Sequence, residues 1–121
     1  MNPKTVALQA RTRRFFVRVI RLSERLPQTV AAQRIAPQLL DAAGSANSNY
    51  RAACRGRSRR EFIAKLGIAL EEADEAKDWL ETLVDAGIGD TTEAATLAKE
   101  ANELVAIFVA SQKTARRNDG N

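Results

Sequence analysis

Two groups of arginines in the first half of this 121-residue chain have the chemistry of phosphate ligands. A guanidinium is permanently charged and offers a planar fork of N–H donors that matches phosphate oxygens two at a time. The first group, Arg11, Arg14, Arg18, Arg21 and Arg25, recurs at intervals of three and four residues. At 100° per residue it covers about 80° of a helix, as a basic stripe some four turns long. No acid interrupts it, whereas a merely solvated face tends to mix signs in i,i+4 pairs. The second group, Arg51, Arg55, Arg57, Arg59 and Arg60, crowds around a turn that carries Gly56 and Ser58. Ser58 and Glu61 have capping-box spacing, so a helix starts here with arginines beside its positive end. That arrangement costs stability unless an anion arrives. Binding to the backbone of RNA or DNA is the use that fits both groups. With only six aromatic residues in the chain, base stacking is limited and little sequence preference is expected.

Other chemistry is short of parts. Without histidine the chain has no imidazole ligand for zinc or di-iron and no histidine general base. Cys54 is the one cysteine, with no base to activate it, and reads as structural. Gly87 and Gly89 lack the Lys-Ser/Thr that follows a phosphate-binding loop. The acids Glu71, Asp74, Glu75, Asp78, Glu81 and Asp85 fall opposite an apolar stripe, where a solvated or intersubunit face is expected rather than a metal site. No catalytic residue, metal or cofactor is therefore expected, and the chain is expected not to be an enzyme.

The elements that carry these residues are helical. Twenty-two alanines, few aromatics, six glycines and three prolines are the composition of helices packed on helices. Apolar positions at helical spacing define four segments. The first, from about Thr5 to Arg25, buries Leu8, Phe15, Val19, Leu22 and Leu26 and stops at Pro27. The second ends near Cys54 and faces inward with Ile35, Leu39, Ala42, Ala43, Ala46, Tyr50 and Ala53. Its start is open between a Thr29 cap and Pro37 as first residue, and Gly56 suits the position just after its end. Ser45 and Asn49 lie beside its apolar face, as a polar clasp or a binding element. The third runs from Ser58 to about Ala86 over Phe62, Leu66, Ala69, Leu70, Ala73, Ala76, Leu80, Leu83 and Val84. The fourth, capped by Asp90 or Thr92, repeats Leu97, Ala101, Leu104, Val105 and Phe108. Ile68, Trp79 and Ile107 point off these stripes and mark a second apolar seam, the kind that subunit contacts use. Four helices with short connections predict an all-α, antiparallel up-down-up-down four-helix bundle over residues 1–115, with 116–121 as a disordered tail.

The net charge of +4 conceals a division. Residues 1–60 carry thirteen Lys/Arg and two Asp/Glu, a balance of +11, and residues 61–121 carry six and thirteen, a balance of −7. Either a polyanion meets the first half or the two halves meet each other. No apolar run approaches the roughly 18 residues of a membrane span, and no apolar block follows the polar N-terminus. No membrane partner and a cytoplasmic location are the expectation.

From Asn49 to Leu83 the chain reads NYRAACRGRSRREFIAKLGIALEEADEAKDWLETL. With Phe16 to Pro27 and Gln38 to Ser45, this resembles the small four-helix bundle family first noticed as proteins encoded in intervening sequences of bacterial 23S rRNA genes. The accessory variability determinant of diversity-generating retroelements is related to it. The most specific parts are Asn49-Tyr50, Ser58-x-x-Glu61-Phe62-Ile63, and Glu72-Ala73-x-Glu75 before Trp79-Leu80. Ala52 departs from the pattern, in which many relatives carry glutamate. The resemblance implies a barrel-like homopentamer and, for the retroelement relatives, binding of nucleic acid and of a reverse transcriptase through a basic surface. The competing expectation is an assembly or adaptor module whose basic and acidic halves pair between subunits, without nucleic acid.

Overall fold

A computed structural model describes residues 1–119. Four helices account for nearly all of them: α1 (Pro3–Glu24), α2 (Val30–Cys54), α3 (Arg59–Ala86) and α4 (Thr91–Asp119). Neighbours in sequence are neighbours in space, α1 and α4 also touch, and the two diagonal pairs do not approach through their backbones. The pairings run in opposite senses throughout. Phe16 of α1 lies over Gly44 of α2 while the Tyr50 hydroxyl is beside Thr5. Arg11 reaches Glu100 of α4 while Arg18 reaches Glu93. Gln112 of α4 donates to the Ile63 carbonyl of α3, and the C-terminal half of α3 lines a groove with the N-terminal half of α4. This is the antiparallel four-helix bundle that the periodicity predicts.

Each helix starts on a side-chain cap. Asn2, Thr29 and Ser58 accept the amides of Lys4, Ala32 and Glu61, and Asp90 accepts that of Glu93. Thr29 thus settles the start of α2, and Pro37 lies exposed inside the helix, where it forgoes one intrahelical hydrogen bond. At the end of α3 Gly87 takes the left-handed conformation at φ 67°, and the Ile88 amide returns to the Leu83 carbonyl at 3.0 Å. Gly56 works differently from a left-handed cap. Its φ is not positive, and it is small because a Cβ would sit 3.0 Å from the Ala53 carbonyl oxygen and 3.3 Å from the Phe62 nitrogen.

The core is the set of apolar stripes meeting. Phe15, Val19, Leu22, Leu39, Leu66, Leu80, Leu83, Leu97, Leu104 and Phe108 are buried, with a layer of alanines between them. Small side chains in that layer let the helices approach, and Tyr50 and Phe108 fill the diagonal as a stacked pair, ring centres 5.2 Å apart. The last helix differs from expectation. α4 continues through Arg116 and Arg117 to Asp119, and Ala115, one heptad after Phe108, is buried. Of the tail expected over 116–121, Gly120 and Asn121 lie outside the described residues. Among the described residues no helix is long and apolar enough to cross a membrane.

Candidate functional site

The five arginines of the α1 stripe do not form one free surface. Arg11 places Nε and Nη2 on the two carboxylate oxygens of Glu100, both at 2.7 Å, with Glu103 at 3.4 Å. The hydrogen bonds to Glu100 hold this guanidinium further toward its charged form, against the opposing effect of burial. Arg18 makes a second fork on Glu93, at 2.7 and 3.3 Å. Arg25 stands 3.9 Å from Asp90, the carboxylate that caps α4. Arg14 and Arg21 are exposed. The stripe is therefore half consumed as a ladder that fastens α1 to α4 within one chain, where contact between backbones is thinnest.

The second group is differently placed. Arg51 closes the last turn of α2, Arg55 is its C-cap, and Arg57, Arg59 and Arg60 follow in the turn and the start of α3. Antiparallel packing brings the start of α1 and the end of α4 to the same end of the bundle. Lys4 joins from α1, and Lys113, Arg116 and Arg117 join from α4. Glu61 is the acid of this end that the α2–α3 turn supplies, and its carboxylate is used on the Arg57 amide at 3.0 Å. The capping-box bond thus reaches one residue further back than the usual partner, Ser58 itself. Between the helix ends lies a groove of about 980 Å³ whose lining includes Lys4, Cys54, Arg57, Arg59, Phe62, Ile107 and Ala110. Lys4, Lys113, Arg116 and Arg117 fall outside the two arginine groups that spacing singles out. The signal for the last two is Ala115, which prolongs the α4 stripe and carries the residues after it into the helix.

The remaining residues have local roles. Asn49 Nδ2 donates to the Ser45 carbonyl at 2.9 Å and to its hydroxyl at 3.0 Å, one turn back along α2. Tyr50 is pushed to a higher pKa by burial and by Cys54, so it stays protonated in the core. The off-stripe apolar residues separate. Ile68 is 40% exposed, Trp79 is half-buried and packs against the core, and Ile107 lines the basic end's groove. The α3 acids Glu71, Asp74, Glu75, Asp78, Glu81 and Asp85 are exposed. Among the described residues no group of three or more Cys, Asp or Glu is arranged to hold a metal ion.

An all-helical bundle with nine of its nineteen Lys and Arg at one end is a class of architecture rather than an activity. The chain belongs to the 23S rRNA-intervening sequence protein family, whose model matches residues 4–110. It is similar to a crystal structure from Bacteroides thetaiotaomicron described as a protein of unknown function from the S23 ribosomal protein family. That similarity has a TM-score of 0.77 and 28% identity over 91% of this chain and 98% of the other. No curated protein matches.

Proposed function

We propose that this protein is a non-enzymatic, homo-oligomeric helical bundle that binds the backbone of RNA or DNA through its basic end. The observation that carries the reading is the convergence there of Lys4, Arg51, Arg55, Arg57, Arg60, Lys113, Arg116 and Arg117 from all four helices. Repetition of that end in an oligomer multiplies phosphate contacts, and each phosphate neutralised releases condensed counterions. Half-consumption of the α1 stripe moves the expected ligand surface away from Arg11, Arg18 and Arg25. The accessory role beside a nucleic-acid enzyme that the family resemblance implies fits the same surface.

The test is a salt series with labelled duplex DNA and structured RNA. Engagement of four or more phosphates gives a log–log slope of about −3 or steeper. Arg57→Ala combined with Arg60→Ala flattens that slope by about one to two, and Arg14→Ala combined with Arg21→Ala changes it less. A shallow slope or absent binding removes the proposal. The second reading, an assembly module, is favoured by exposed Ile68 on a helix whose outer acids have the opposite sign to Arg14 and Arg21. It gives an oligomer that salt dissociates and no salt-dependent oligonucleotide binding.

A further inference from the structure

Two grooves flank α4, and they differ in chemistry. The one beside the C-terminal half of α3, about 800 Å³, mixes Asp78, Glu81, Asp85 and Glu103 with Lys77 and Lys99, so it presents no consistent charge. The one at the basic end, about 980 Å³, is lined by the side chains of Phe62, Ile107 and Ala110 together with those of Lys4, Arg57 and Arg59. The hydroxyls of Ser111 and Thr114 and the amide of Asn118 add donors and acceptors on the α4 side.

A simple phosphate site does not call for apolar side chains in its lining. Two amides near the start of α3 are already taken, that of Glu61 by the Ser58 hydroxyl and that of Arg57, just before the helix, by the Glu61 carboxylate. We propose, resting on the backbone-binding reading above, that this groove seats a base of single-stranded nucleic acid while Lys4 and Arg57 hold the flanking phosphates. A base presents a flat apolar face to Phe62 and Ile107 and polar edges to Ser111, Thr114 and Asn118. In a duplex the bases are paired and stacked inside the helix, so the groove has nothing to receive and only the phosphate contacts remain. The groove is within the size range of sites that take small molecules. One aromatic ring gives one stacking contact, which discriminates paired from unpaired strands without reading a sequence.

The experiment measures anisotropy of labelled single-stranded RNA and DNA oligonucleotides and of the matched duplexes, at one salt concentration, with the full chain. Single strands are expected to bind about tenfold tighter than duplex, the size of one base contact. Ala110→Glu puts an acid into the groove from an exposed helical position, and Ala95→Glu makes the same change elsewhere on α4, at the other groove. Ala110→Glu is expected to remove the single-strand preference, and Ala95→Glu to leave it, with circular dichroism unchanged in both. Equal affinity for single strand and duplex, with both variants alike, overturns the groove proposal and leaves backbone binding standing. Competition by polyglutamate as effective as by an oligonucleotide of equal charge overturns it too, since the base then contributes nothing. Absence of binding to every nucleic acid ends both proposals.

Discussion

Arg11 and Arg14 are one helical turn apart on α1, and their charges have different fates. Arg11 is locked in a two-point fork on Glu100, and Arg14 projects into solvent. The stripe itself is visible in the three-four spacing, because that depends on one helix alone. Its division into paired and unpaired members depends on the register between α1 and α4, which no local pattern encodes. Glu72 shows the opposite electrostatic situation. Half-buried on α3, it is pushed to a higher pKa first by burial, then by Glu75, Glu71 and Asp41. A carboxyl whose folded pKa lies above its unfolded value binds more protons folded. Stability therefore falls as pH rises from the ordinary carboxylate range through the raised value, and the cost is complete above it. Glu72→Gln keeps a donor for Glu75 without the charge. The variant is expected to melt higher than the parent at pH 7 and to match it near pH 4, which thermal melts at the two pH values check.

At the scale of elements, the two ends of helices that mattered most were decided by different kinds of information. The close of α3 was readable, since glycine just after the last periodic residue is a local device. The opening of α2 was not, because Thr29 and Pro37 are both legitimate starts. A proline inside an isolated helix costs about 3 kcal/mol. Against this stand the Thr29 cap, about 1 kcal/mol, and the packing of Ala32, Ile35 and Ala36 on the core, with burial of one large aliphatic side chain giving about 2 kcal/mol. Those contacts exist only once α2 has neighbours. The turn from α3 to α4 offers a direct comparison of two left-handed glycines. At Gly87 an added Cβ meets nothing within 4 Å, while at Gly89 it meets Leu26 Cδ2 at 2.7 Å. Gly87→Ala is expected to cost about 1 kcal/mol for its backbone alone. Gly89→Ala adds displacement of a buried leucine, for a total of about 2 to 4 kcal/mol. Urea unfolding of the pair measures the difference.

For the molecule as a whole, charge is sorted by end and by seam. Nine of the nineteen Lys and Arg lie at one end, while forks from Arg11 and Arg18, extended by Arg25, run along the seam between α1 and α4. Partly buried forks are screened less than exposed pairs but still weaken in salt, whereas the apolar contacts of α2, α3 and α4 do not. Amide hydrogen exchange is expected to be fastest in α1 and to accelerate there in about 1 M salt, where screening reaches roughly 3 Å. Protection in α3 is expected to hold. Uniform acceleration over all four helices contradicts this account. The halves of +11 and −7 were plain from composition, and their partial mutual satisfaction follows from topology, because the fourth helix of a square bundle returns beside the first.

Trp79 lends the chain an optical use. It is the single tryptophan, half-buried against the core on the helix that bears the outward acids and Ile68. Its emission consequently comes from one known place. A blue shift with rising protein concentration reports water leaving the side of α3, so self-association can be followed by dilution in a cuvette with no label attached.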